Sequence, residues 1–176
     1  MRMTVALVFG ALFAASAAQA ADRKIEDFFG RWIGTGQATQ GVVNPVVTQS
    51  RDSEVIIEKA ADGFKISWTT MSSAISDASR SKVKTTSLTF KRGKRAGVFV
   101  DVKSGHAMEG KKTTWARISG DMLSIAQLVV ADDGQWDVTV YDRTLKGGGQ
   151  MTLAFTRLTN GTIARQASLA MTKAKD

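Results

Sequence analysis

The sequence predicts an all-β protein, an antiparallel up-and-down β-barrel of about eight to ten strands with a short N-terminal helical turn. Three observations lead to this fold class. Apolar and polar residues alternate with a period of two along most of the chain. Turn-forming residues recur at short intervals, so consecutive strands can pair as a meander. A meander this long removes its unpaired edges when it closes on itself, which favours a barrel over an open sheet.

The first 20 residues have the pattern of a secretory signal peptide. Arg2 gives a positive start, residues 5–14 form a short apolar run, and Ala18-Gln19-Ala20 is a small-residue cleavage site. A membrane anchor is the alternative, but the apolar run is shorter than the roughly 20 residues that span a bilayer. We therefore expect cleavage near Ala20, a single barrel domain over residues 21–176, and a bacterial periplasmic or secreted location.

Composition limits the chemistry and the partners. The chain of 176 residues has no cysteine, which excludes disulfides, zinc–thiolate sites and cysteine nucleophiles. Lys and Arg number 24 against 16 Asp and Glu, a net charge of +8, and removal of Arg2 with the signal peptide lowers it to +7. This charge favours an anionic envelope surface as a partner. Export argues against nucleic acid, and we expect a monomer with no transmembrane segment in the mature chain.

The N-terminal helical turn is predicted over residues 22–29. Ile25, Phe28 and Phe29 are spaced for one helical face, and Asp22 precedes them as a candidate cap. Strands follow, separated mainly by short Gly-containing turns typical of hairpins. They are predicted at 30–40, 53–60, 64–71, 82–91, 96–103, 112–119, 122–130, 135–145, 150–158 and 162–172.

Two longer segments, 41–50 and 72–81, are predicted to be loops. The first contains Pro45, the only proline, and the second is rich in serine and small residues. Loops of this length are either ordinary surface connections or covers for a barrel mouth, and the sequence leaves both interpretations open.

Five sets of apolar residues with a spacing of two predict one continuous interior face. Residues 82–91 fit this pattern poorly, because Leu88 and Phe90 share a face with Lys84. That strand is therefore either a sheet edge or the lining of a polar part of a cavity. The five sets are Val55/Ile57, Phe64/Ile66/Trp68, Val98/Val100/Val102, Trp136/Val138/Val140 and Met151/Leu153/Phe155.

The first predicted strand resembles that of the lipocalins and the wider calycin superfamily, which carry a Gly-x-Trp motif there. Here the motif is Gly30-Arg31-Trp32, and its extension to Gly36 is similar to the opening strand of nitrobindin-like ten-stranded barrels. The resemblance implies that Trp32 plugs one end of the barrel and that an arginine on a late strand packs over its ring. Arg157 matches that arginine.

The departures from these families limit what the resemblance implies. Nitrobindin-like proteins bind haem through a late histidine, whereas the only histidine here is His106, beside a glycine in a predicted loop. We therefore expect no cofactor. The chain has no Gly-x-Ser-x-Gly elbow, and Asp132-Asp133 precedes a glycine in a predicted hairpin turn. The sequence therefore predicts neither an enzyme nor a metal site.

Two functions remain. The first is a carrier or sensor for a small apolar or amphiphilic ligand, with Trp68, Trp115 and Phe155 against the ligand and Arg117 paired with an acidic headgroup. The second is a basic module with a filled barrel that docks an envelope surface or protein partner. For that function the clusters 91–95 and 111–112 would form one electropositive rim. The simpler alternative is that each cluster is a solvated tip without a partner. A cavity larger than about 300 Å³ would favour the carrier.

Overall fold

The computed structural model describes residues 22–40, 46–74 and 77–175. The predicted signal peptide and Pro45 lie outside these ranges. The described residues contain ten strands and two short 3-10 turns, one at Ile25–Phe28 before the first strand and one at Ala107–Glu109 before the sixth. The strands are β1 Gly30–Gln40, β2 Val46–Ala60, β3 Gly63–Ala74, β4 Asp77–Arg92, β5 Val98–Asp101, β6 Thr113–Ser119, β7 Met122–Val130, β8 Trp136–Gly147, β9 Gln150–Thr159 and β10 Thr162–Lys173.

The strands form a closed antiparallel barrel, which confirms the predicted fold class. Each strand pairs with its neighbours in sequence, and β1 also pairs with β10, so that Trp32 lies opposite both Val55 and Lys173. The closure is weakest between β4 and β5, which pair within the described residues only at Phe90, Lys91 and Arg92.

The two predicted loops are shorter than expected. β2 already begins at Val46, β3 continues to Ala74 and β4 begins at Asp77, so the hairpins extend well beyond their apolar segments. The polar ends keep the strand pairing; for example, Ser72 lies opposite Lys82. Hydrophobic alternation could not reveal these strand ends, because their side chains are mostly polar.

One end of the barrel is filled, and we call it the closed end. Phe28 of the first 3-10 turn is fully buried there, and the Trp32 indole donates a hydrogen bond from Nε1 to the Phe28 carbonyl at 3.0 Å. Phe64 stacks on Phe90 with 4.8 Å between ring centroids and meets Phe99 edge-on at 5.1 Å. The expected plug at the first strand is therefore present.

Glycines explain how β1 approaches β10 next to this plug. A Cβ atom on Gly34 would lie 2.3 Å from the carbonyl oxygen of Ala170, and one on Gly36 would lie 2.0 Å from that of Ser168. Any side chain at these positions would push the backbones apart. The motif and its extension therefore combine one large side chain, which plugs the barrel, with two positions that have no side chain on the same face of β1.

Two of the five residue sets that were predicted to point into the barrel point outward instead, which corrects that prediction. On β8, Tyr141 and Thr139 line the cavity, so the alternating Val138 and Val140 lie on the outer surface. On β5, Phe99 and Asp101 are buried, so the Val98 set is also external. Alternation separates two faces, but it does not tell which one is internal when the interior is polar, as along β8, or when both faces are apolar, as at Val98 and Phe99 of β5.

Both interpretations of residues 82–91 hold in part, because this strand lines the cavity and, within the described residues, its segment 82–88 pairs with β3 alone. Lys82, Lys84 and Thr86 of β4 line the hollow half of the barrel, whereas Phe90 is buried in the closed end. One face of this strand thus passes from the polar half of the interior to its apolar half.

Candidate functional site

The half of the barrel opposite the closed end contains a cavity of about 530 Å³, and we call its opening the mouth. One acidic side chain, Asp137, is among the lining residues, and the lining is otherwise strongly cationic. Its six cationic side chains are Arg51, Lys82, Lys84, Lys112, Arg157 and Arg165. A concave, low-dielectric site with this charge concentrates anions.

Aromatic rings form one wall of the cavity. The Trp68 and Tyr141 ring centroids are 5.1 Å apart, and Tyr141 lies at the same distance from Phe155. Arginines sit at both ends of this row. The Arg51 guanidinium is 5.9 Å from the Phe155 centroid, and the Arg143 guanidinium is 5.4 Å from Trp68 and 5.6 Å from Tyr141. These distances are within the range of cation–π contacts.

Arg143 does not line the cavity but lies against the lining rings of Trp68 and Tyr141. Its relative exposure is 0%, and none of its three guanidinium nitrogens has a hydrogen-bond partner among the described residues. Burial lowers the pKa of Arg143 to about 10, although Tyr141 and Asp142 oppose the shift. A buried charge without a partner destabilises a protein by roughly several kcal/mol unless a ligand or solvent satisfies it.

Arg51 is also a partly buried arginine whose guanidinium is incompletely paired. Its Nε is buried without a hydrogen-bond partner in the described chain. Burial, and then repulsion from Arg165, lowers the pKa of Arg51. Burial also raises the pKa of the Tyr141 hydroxyl, and the nearby cations Arg143 and Arg51 oppose that shift. Two incompletely paired guanidinium groups therefore lie on either side of one phenol.

At the mouth, Arg157 has an acidic partner. It donates from Nη2 to Asp137 Oδ2 at 2.6 Å, and this hydrogen bond is the main cause that lowers the pKa of Asp137. Arg165 donates instead to the neutral amide oxygen of Gln49. The charge of Arg157 is thus locally balanced, and that of Arg165 is not.

The structure places two of the four predicted ligand residues in the cavity, Trp68 and Phe155. The other two face outward, so their predicted placement is wrong. Trp115 is 37% exposed, and Arg117 is exposed on the same outer face of β6, because the alternating residues of that strand point inward. An acidic headgroup in the cavity would meet Arg51 rather than Arg117.

The predicted contact between Trp32 and Arg157 does not form. β9 runs from the closed end towards the mouth, so Arg157 lies near the mouth whereas Trp32 lies at the opposite end. The cation over the Trp32 ring is Lys173 of β10, with Nζ 5.5 Å from the ring centroid. The closing cation thus comes from the last strand.

Sequence reasoning missed Arg51, Tyr141, Arg143 and Arg165. Tyr141 and Arg143 alternate with the outward Val138 and Val140, so assignment of the valines to the interior placed both residues outside. A signal was present, because Arg51 has the same strand parity as Val55, which was correctly placed inside. A basic residue in register with core residues marks a polar part of a barrel interior.

The two basic clusters do not form one rim, which corrects that expectation. Lys112 lines the mouth, whereas Arg92 lies at the closed end, where its Nη2 is 3.5 Å from Glu26 Oε1. His106 is exposed just before the second 3-10 turn. In the described part of the chain, no group of three or more His, Asp or Glu side chains could hold a metal ion. Likewise, no helix within those ranges is long and apolar enough to cross a membrane.

No protein-family model matches the chain, and no curated protein matches it. Among solved structures, the chain is similar to the S-type phycobiliprotein lyase CPES from Guillardia theta. The TM-score is 0.47 and the sequence identity 12%, with 86% of this chain and 91% of that chain covered. The barrel architecture expected from Gly30-Arg31-Trp32 is confirmed by the strand order itself, and membership of a named family stays a prediction.

The expectation that the protein is not an enzyme is corrected by this comparison. The similar structure is named as a lyase. A likeness of this size assigns no activity to the present chain. Folds host several functions, so an activity must be argued from a site rather than from a barrel.

Proposed function

We propose that this protein is a carrier or sensor that binds a small anionic amphiphile in the barrel cavity. One observation carries the proposal: a cavity of about 530 Å³ has six cationic lining side chains beside an aromatic wall. Small-molecule pockets typically measure about 300–1,000 Å³. The alternative of a basic module with a filled barrel does not account for this hollow.

The lining suits a ligand that has an apolar body and an acidic group. The rings of Trp68, Tyr141 and Phe155 offer faces for the apolar body. Arg51 and Arg165 offer guanidinium groups, whose planar arrangement of donors can bind a carboxylate or phosphate through two parallel hydrogen bonds. A hydrogen bond to a charged group contributes about 1.5–3 kcal/mol. An acid beside Arg51 would also supply the partner that its Nε lacks.

Decanoate is expected to change the intrinsic tryptophan fluorescence in a saturable manner, because Trp68 lines the cavity. Decanol, which has the same chain but no acid, is expected to bind about tenfold more weakly, equivalent to about 1.4 kcal/mol. Arg51→Gln should reduce decanoate affinity by about the same factor. Arg117→Gln is the matched control, because that arginine lies on the outer face. The absence of saturable binding across fatty acids and isoprenoid acids would contradict the proposal.

Export is part of the proposal and is supported by the N-terminal pattern, with its apolar run and Ala18-Gln19-Ala20 site. The mature protein is expected to begin at Ala21 in the periplasm or the medium. N-terminal sequencing of the protein from a fractionated bacterial host checks this expectation. Recovery of chains that begin at Met1 in the exported fraction would show that the segment is not cleaved.

Association with an anionic envelope surface stays a prediction. It is supported by the net charge of +8 of the full chain. Since the basic clusters lie at opposite ends of the barrel, such a surface would contact either the mouth or the closed end, and not both. Contact at the mouth would place the surface beside the cavity.

A further inference from the structure

Arg143 lies where the hollow half of the barrel meets the filled half. Its register partners are Leu123 on β7 and Leu153 on β9, and both are buried. Neither leucine side chain can accept a hydrogen bond. The groups that contact the guanidinium from within the barrel are the rings of Trp68 and Tyr141, which line the cavity. A buried side chain with five donor hydrogens therefore lies against two leucines and two aromatic rings.

The ring contacts do not satisfy those donors. A cation–π contact uses the face of an aromatic ring and the positive charge of the guanidinium. The N–H bonds lie in the guanidinium plane and require oxygen acceptors in that plane. None of the three nitrogens has such an acceptor among the described residues. Native proteins leave few buried polar groups unsatisfied, so Arg143 calls for a specific explanation.

A purely structural role explains Arg143 poorly. A methionine or leucine at this position would match Leu123 and Leu153 on either side and would avoid the burial of an unpaired charge. Unpaired buried charges are typical of binding sites, where the missing partner belongs to the ligand. The chemistry of that partner is an anion with oxygen acceptors.

A second group of cations lies at the mouth, away from Arg143. Along β8, Arg143, Tyr141, Thr139 and Asp137 point to the same face, so Arg143 and Asp137 are separated by about 20 Å of strand at 3.3 Å per residue. Lys82, Lys84, Lys112 and Arg165 line the cavity on other strands. Long lysine and arginine side chains reduce the distance between the two sets of charges.

We propose that the cavity ligand carries two acidic groups at opposite ends of a short apolar body, with one acid bound by Arg143 and the other by the mouth cations. This inference rests on the proposed function. The apolar body would pack against Trp68, Tyr141 and Phe155, whose neighbouring rings are tilted by 53° and 55°. Because Arg143 has no exposed surface, Trp68 or Tyr141 must rotate to admit the inner acid. The closed end beyond Arg143 is filled by buried side chains, so the ligand cannot extend past that residue.

Biphenyl-4,4′-dicarboxylate and biphenyl-4-carboxylate test this proposal, because they share one body and differ by one acid. Isothermal titration to the full mature protein is expected to show that the diacid binds about tenfold more tightly than the monoacid, equivalent to about 1.4 kcal/mol. In Arg143→Met this preference should fall below about twofold, because the second acid then has no guanidinium partner. Arg117→Met, on the outer face, should keep the full preference.

The outcomes separate this inference from the proposed function. If both probes bind the wild type equally, or if Arg143→Met keeps the preference, the two-acid inference is wrong while the carrier proposal stands. If neither these probes nor the fatty-acid and isoprenoid-acid panel bind, the carrier proposal fails and the inference fails with it. Arg143→Lys guards against misfolding of the methionine variant. It keeps the charge but lacks the planar donors, so it should reduce the preference only in part.

Discussion

Replacement of Trp32 by alanine is expected to lower the free energy of unfolding by about 3–5 kcal/mol. The indole is 2% exposed and lies in the closed end, where it contacts the buried core and donates a hydrogen bond to the Phe28 carbonyl. Its removal opens a cavity and leaves that carbonyl without its donor, and it also releases the first 3-10 turn. Urea unfolding followed by far-ultraviolet circular dichroism measures the change.

Trp115→Ala is the matched control for this effect. That tryptophan is 37% exposed on the outer face of β6, so its replacement should cost much less, about 1 kcal/mol. A double-mutant cycle identifies the closing cation. Trp32 and Lys173 should couple by about 0.5–1 kcal/mol, whereas Trp32 and Arg157 should be additive within about 0.5 kcal/mol. Equal losses for Trp32→Ala and Trp115→Ala would show that the closed end is not plugged as described.

The sequence was sufficient for the number and order of the strands, though not for their polar ends, and for the plug. Short turns and period-two alternation placed all ten strands, because local turn chemistry does not depend on the rest of the fold. Trp32 could be placed at the barrel end from its motif. Its cationic partner could not, because the partner depends on the direction and register of a distant strand. Arg157 and Lys173 both lie on late strands, but only Lys173 lies at the end where β1 begins.

The candidate site was harder to predict, because its interior is polar. Val138 and Val140 form an apolar face that looks like a core face, yet they cover the outside of the barrel while Thr139 and Tyr141 line the cavity. On β6 the larger Trp115 is external and the small Ala116 is internal. Hydrophobicity identifies the buried face of a strand only where the interior is apolar, as it is for Phe64 and Phe90 in the closed end.

Arg143→Met is expected to raise the free energy of unfolding of the ligand-free protein by about 1–2 kcal/mol. Burial lowers the pKa of Arg143 to about 10, and this shift corresponds to a destabilisation of about 3 kcal/mol at 1.36 kcal/mol per unit. Methionine removes this penalty and fills similar space among Leu123, Leu153 and Trp68. The loss of the cation–π contacts, about 2 kcal/mol when desolvated, offsets part of the gain.

Wild type and Arg143→Met are expected to differ in their free energy of unfolding. The pH dependence of this difference identifies the buried charge as the cause of the difference. Above the folded pKa of about 10, and below the ordinary pKa of arginine, the unfolded chain binds more protons at Arg143 than the folded protein does. The contribution of Arg143 to the wild-type free energy of unfolding therefore becomes less unfavourable as pH rises through that interval. At lower pH this unfavourable contribution is constant. Urea melts should give the same advantage of Arg143→Met at pH 7 and pH 9 and a smaller one at about pH 11, since all other titrations are common to both proteins. A variant that is less stable than wild type at pH 7 would mean that the guanidinium is satisfied in the free protein, and Arg143 would then support the barrel rather than a ligand.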